Sequence, residues 1–293
     1  MDRLKRRDFL KQTAVGAGAV LISSSFSDPL SVAAAAPKAM TVAGEVPAAS
    51  LGSMPPHEHL MSLFGADLTE KAVYDEAKLM EAVIPYLKKL KSLGCETIAD
   101  CTAAYFGRAP LLLKKMSESS GLQVLTNTGY YAAANDRYVP KHAYKESPEQ
   151  LAQRWINEWK DGIGATGIRP GFIKIGVDGG PLSDIDAKLV RAAALTHRET
   201  GLAIAAHTSD NPEAAKEQLK ILREEKVDPS AWIWVHANKV ADINDLASAA
   251  ETGAWIELDG ISADSVEDHF VMLAELQKRN LVKRILLSHD GNS

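Results

Sequence analysis

The chain has 293 residues, 46% of them apolar and 24% charged, and 33 Lys and Arg against 38 Asp and Glu give a formal net charge of −5. That length suits one large domain, since an α/β barrel alone takes roughly 250 residues, and the composition is that of a globular protein with a sizeable core. No run of Lys and Arg with interleaved aromatics forms a phosphate-tracking stripe, so nucleic acid is set aside as a partner.

At the N-terminus, Arg6-Arg7-Asp8-Phe9-Leu10-Lys11 precedes a mildly apolar run, 13–22, and then the small-residue stretch Ala33-Ala34-Ala35-Ala36. The arrangement resembles a twin-arginine export signal with A-x-A-like cleavage sites near Ala36. The apolar run is too short and too rich in Gly and Ser to span about 30 Å of hydrocarbon. Residues 1–36 are therefore expected to be a cleaved signal peptide and 37–293 the mature domain, periplasmic or secreted, with no membrane contact after cleavage.

Residues 40–46 and 50–54 read as short β pieces of an entry hairpin. Strand-like runs at 55–59, 96–102, 123–129, 171–177, 202–207, 231–236, 254–258 and 284–288 then alternate with amphipathic stretches at 75–93, 148–162, 184–200, 211–226, 243–251 and 264–279. Eight strands with helices between them predict an α/β fold, a (β/α)8 TIM barrel. Such a barrel continues past strand eight into a loop and a last helix, yet the sequence stops at Ser293, three residues after Asp290. The expectation is that this loop and closing helix are missing, and that apolar residues meant for the helix are exposed. Cys95 and Cys101 fall on one strand, roughly 20 Å apart in extended chain, so they do not pair with each other.

His57 and His59 stand two apart on the first strand, so both imidazoles point one way and Glu58 the other. Alone, this pair suits a hydrogen-bonded polar cluster as well as a metal site. His207 closes the strand 202–207, His236 closes 231–236, and Asp290 follows the eighth strand, all at C-terminal strand ends, where barrels of this type carry their active sites. In Phe172-Ile173-Lys174-Ile175-Gly176-Val177 the Ile and Val side chains share one face and leave Lys174 in the lumen. A buried ammonium is costly unless neutralised, paired or functional; pairing with Asp178 or snorkelling to the rim is the plainer alternative. His142, His197, His269 and His289 lie in loops and helices or point away from Asp290 into the helical layer, and are poor candidates.

Val42-Ala43-Gly44-Glu45-Val46, Leu51-Gly52 and Pro56-His57-Glu58-His59-Leu60 resemble the opening signature of the phosphotriesterase-like family of the amidohydrolase superfamily. Phe172-Ile173-Lys174-Ile175-Gly176, Ala206-His207-Thr208 and Leu287-Ser288-His289-Asp290-Gly291 are similar to its later motifs, in the right order from residue 41 to the end. The resemblance implies two divalent metal ions, Zn foremost with Mn, Co or Fe compatible. His57, His59 and Asp290 would hold the more buried ion, His207 and His236 the more exposed one, and Lys174, carboxylated by carbon dioxide, would bridge them. A hydroxide shared by the ions would attack an ester, lactone or phosphoester, with Asp290 taking the proton.

Some positions depart from the family pattern. Lys239 stands where relatives often carry Asp, Gly260 follows Asp259 where they carry Arg or His, and Gly107-Arg108-Ala109 replaces Gly-Arg-Asp. Tyr131 matches an aromatic that lines the pocket of lactonase-like relatives, and also suits a packed rim position. Together these favour a lactone or carboxylic ester over a phosphotriester. A small-molecule substrate is implied, and a homodimer is compatible with it. Two other readings stand beside this one: a mononuclear amidohydrolase such as a deaminase, which would not need Lys174, and a periplasmic metal-binding protein without catalysis.

Overall fold

A computed structural model describes residues 36–66 and 72–291. The export signal expected over 1–36 lies, but for Ala36, outside the described residues. Among the described residues no helix is long and apolar enough to cross a membrane.

The entry hairpin is present but lies almost wholly within the first of its expected pieces. Strand β1 (Lys38–Thr41) pairs antiparallel with β2 (Gly44–Pro47), Thr41 opposite Gly44. The Thr41 hydroxyl accepts from the Ala43 N–H and donates to the Gly44 carbonyl, and Gly44 takes φ +119°. This local bonding places the turn at Val42-Ala43, inside a run that reads by composition as one strand. Residues Ala48–Leu51, which overlap the second expected piece, coil into a 3-10 helix.

Barrel strands follow where the alternation places them. β3 (Thr97–Ala99) and β4 (Gln123–Leu125) pair in parallel. β5 (Asn127–Thr128), β6 (Phe172–Gly176), β7 (Ile204–His207), β8 (Trp232–Val235), β9 (Trp255–Leu258) and β10 (Ile285–Leu287) form a six-stranded parallel sheet in chain order. β4 and β5 are two halves of one expected strand, parted at Thr126. The run 55–59 forms no continuous ladder, because Pro55 and Pro56 have no N–H to donate. Glu58 bridges to Asp100, donating its N–H to Ala99 O and accepting from the Cys101 N–H. The ring closes through backbone bonds from the Asp290 N–H to His57 O and from the His59 N–H to Gly291 O, joined by Ser288 Oγ, which accepts from the His57 N–H at 3.0 Å and donates to His57 O at 2.6 Å.

Seven α-helices lie among the described residues: α1 (Glu76–Ser92), α2 (Pro110–Ser120), α3 (Pro148–Asp161), α4 (Asp184–Thr200), α5 (Pro212–Glu224), α6 (Ile243–Glu251) and α7 (Val266–Lys278). Ser147 and Ser183 begin α3 and α4 with complete capping boxes, each cap contributing about 1 kcal/mol. The pattern of the sequence does not reveal α2. Its N-cap, Ala109, offers no side-chain bond, and Leu111-Leu112-Leu113 blurs the helical period, leaving Pro110 at the first position as the only start signal.

Alternation along the strands divides the core. Ile173, Ile175 and Val177 pack outward with Trp155 and Leu189, whereas Phe172 joins Ala99, Cys101, Leu125, Ala205 and Val235 in the lumen. Full burial of each outward Ile contributes about 2 kcal/mol and thereby fixes which way Lys174 points. On the outer face beside α1 and residues 289–291, Leu60, Ala82, Val83 and Tyr86 line a groove of about 240 Å³. Tyr86 and Leu287 are exposed. His289 does not enter a helical layer; its side chain is 58% exposed.

Candidate metal centre at the C-terminal strand ends

The six residues singled out by pattern converge at one rim. His57 Nε2 lies 3.4 Å from His59 Nε2, 3.3 Å from Lys174 Nζ and 3.5 Å from Asp290 Oδ1. His59 Nε2 is 3.7 Å from the same Asp290 oxygen, and His236 Nδ1 is 3.9 Å from Asp290 Oδ2. His207 joins through His236, their ring centroids 4.4 Å apart. His236 and Asp290 both adopt left-handed backbone, φ +63° and +53°, an uncommon conformation for non-glycine residues that clusters at functional sites.

The histidines are set as neutral donors. Thr102 Oγ1 donates its own proton to Met61 O, so toward His59 Nδ1, 2.8 Å away, it is an acceptor. The His59 proton therefore sits on Nδ1, and its Nε2 lone pair faces the centre. Burial, with the Lys174 charge second, holds His57 well below the usual histidine range and His59 down to about 3. For His207 burial leads and the charge of His236 follows.

Two features suit this donor set to divalent metal. The buried His236 Nδ1 has no hydrogen-bond partner, although Asp259 Oδ2 lies 2.7 Å away out of alignment, and donor atoms of His57, His236 and Asp290 lie within 4.8 Å of one another. An orphaned ring nitrogen facing a carboxylate is the position a cation would satisfy. Lys174 is 1% exposed and makes no ion pair among the described residues, so the pairing with Asp178 is not formed; Asp178 instead accepts from the Asn135 N–H.

A cavity of about 370 Å³ opens over these groups, lined further by Ser62, Phe64, Phe106, Tyr131 and Lys239. The Tyr131 hydroxyl lies 3.1 Å from His207 Nδ1, which places that ring inside the pocket. Burial pushes its phenol up, so it stays protonated at neutral pH. Three of the remaining histidines serve the scaffold: His142 lies beside Glu146, His197 bonds Leu202 O, and His269 bonds the carbonyls of Ser265 and Asp259.

Sequence reasoning passed over Glu257. In Trp255-Ile256-Glu257-Leu258-Asp259, Ile256 and Leu258 are fully buried among the helices, so Glu257 and Asp259 face the lumen. Glu257 Oε1 is 2.7 Å from His57 Nδ1, and burial, with the neighbouring Asp259 charge adding, raises its carboxyl well above the usual range. A charged residue in an otherwise apolar strand was the available signal.

The Phosphotriesterase family model matches residues 37–293. A phosphotriesterase homology protein of Escherichia coli is 30% identical over 208 residues, 70% of each chain. An aryldialkylphosphatase of Saccharolobus solfataricus is 28% identical over 80% of this chain and 75% of its own. A variant of a PTE-like lactonase from Deinococcus radiodurans superposes with a TM-score of 0.77 at 28% identity, covering 87% of this chain and 82% of that one.

Proposed function

We infer the function from one premise: the chain belongs to the phosphotriesterase family, and so is a metal-dependent hydrolase of esters. Beyond that, we propose a binuclear centre in which His57, His59 and Asp290 hold one ion, His207 and His236 the other, and Lys174 joins them as a carbamate. The observation that carries the proposal is Lys174 itself, buried beside His57 without a carboxylate partner among the described residues. Carboxylation of its amine would replace a buried cation by an anionic ligand. Divalent ions bound there, Zn foremost, supply Lewis acidity and a water ionised near neutral pH.

The chain's own residues do the rest. Glu257 and Thr102 fix the tautomers of His57 and His59, so both Nε2 atoms face the centre. Asp290, with an oxygen 3.5 Å from His57 Nε2 and its side chain partly open to the cavity, takes the proton of the attacking water and returns it to the leaving group. The Tyr131 hydroxyl positions the substrate oxygen beside His207, and Phe64 and Phe106 cover the apolar part of the substrate and limit water. A lactone or carboxylic ester suits this small aromatic pocket better than a phosphotriester with three substituents.

Metal analysis together with a hydrolysis panel tests the reading. About two ions per chain and turnover of lactones or aryl carboxylic esters above phosphotriesters are expected. One ion per chain with undiminished turnover after removal of carbon dioxide and bicarbonate would point to the mononuclear alternative.

A further inference from the structure

β9 places two carboxylates, Glu257 and Asp259, at lumen positions. Glu257 is 1% exposed, and a carboxylate so buried is expensive unless a specific partner compensates it. Its partner is His57, whose Nδ1 lies 2.7 Å from Oε1, so the carboxyl group engages that edge of the ring. That contact turns the opposite nitrogen, Nε2, toward Lys174, His59 and Asp290. His59 is held at the same ring position, its Nδ1 against the hydroxyl of Thr102. The two histidines of the H-x-H pair are thus oriented by groups of different charge, and a carboxylate behind an imidazole makes the far nitrogen the stronger donor.

We propose that Glu257 is a positioning residue of the metal centre, locking the tautomer and ring plane of His57 and strengthening its Nε2 as a ligand. The inference rests on the proposed function insofar as His57 binds metal. Asp259, two residues on, does not duplicate the role: its Oδ2 is 3.9 Å from His57 Nδ1 and 2.7 Å from His236 Nδ1, and it accepts from the His236 N–H.

Glu257→Ala and Glu257→Gln test this in two ways. In zinc titrations against a competing chelator, Glu257→Ala should weaken the tighter site about 10- to 100-fold, with Glu257→Gln between it and wild type, because the amide oxygen still accepts from Nδ1–H without the charge. In metal-free protein, histidine ¹⁵N NMR should find His57 as the Nδ1–H tautomer in wild type and Glu257→Gln, and a mixture in Glu257→Ala. Wild-type zinc affinity in both variants overturns the proposal. So does lost affinity with an unchanged tautomer, which would make Glu257 a direct ligand instead. If Glu257→Ala does not fold, Glu257→Gln decides through its affinity alone. A wild-type chain that binds no zinc removes the reading of the centre, and the tautomer measurement still decides what Glu257 does to His57.

Discussion

The two sides of the barrel are built on different principles. From β5 to β10 the strands form an uninterrupted parallel ladder whose outward Ile, Ala and Leu side chains pack on α3 to α7. From residue 55 to β4 the ladder is broken, and side chains do the work of backbone: Asp100 accepts the N–H groups of Leu60 and Thr102, and Asn127 donates to the carbonyls of Asp100 and Thr102. At the seam, Glu58 accepts from the N–H groups of His289 and Gly291. The irregular side carries the H-x-H pair. Regular pairing sets side-chain direction by alternation alone, whereas two imidazoles from one proline-interrupted segment need specific polar anchors, and this side of the barrel is where single substitutions should cost the fold most.

The largest expected effect nonetheless falls on the regular side. Lys174→Ala should remove bound metal and lower kcat/KM by about 10³-fold or more, with little loss of fold, as metal analysis and circular dichroism would register. Retention of both ions and of turnover would refute the binuclear reading. Next comes Asp100→Ala, which strands two buried N–H groups and should cost about 2–4 kcal/mol in urea unfolding. Burial raises the Asp100 carboxyl to about 7 despite those bonds. A cost below about 0.5 kcal/mol would mean that the anchors are dispensable and the contrast between the two sides false.

A pH experiment sharpens the same contrast. His59 is held down to about 3 against an ordinary value near 6.5, so between these values the unfolded chain binds a proton that the folded chain does not. Its contribution to the stability of metal-free protein is full above pH 6.5 and is lost as pH falls toward 3. The difference in unfolding free energy between wild type and His59→Gln should shrink over that interval, and a difference independent of pH would mean that His59 is not a buried neutral base. The smallest effect belongs to Tyr131→Phe, which keeps the ring and removes the hydroxyl near His207. Lactone turnover should fall by about 3- to 10-fold, mostly in kcat, without change in metal content.

Much of this was legible in the sequence because it depends on period and position. Alternation put Lys174 inward between Ile173 and Ile175, and the strand ends put His207, His236 and Asp290 on one rim. What was not legible depends on local bonding without periodicity. The Thr41 turn inside the first β piece, the capless start of α2 and the broken strand at Pro55-Pro56 each follow from one residue's hydrogen-bonding capacity. Glu257 escaped notice because its meaning lies 200 residues away in His57.

The sequence by itself determined the barrel and which residues face its lumen, since hydrophobic alternation is a one-dimensional property that survives without knowledge of neighbours. Only the tertiary structure decided how those residues are primed. The ring orientation of His57 and His59, the His236 Nδ1 left without a hydrogen bond and the lack of an ion pair at Lys174 among the described residues depend on which distant donors and acceptors reach hydrogen-bonding distance once the ring has closed.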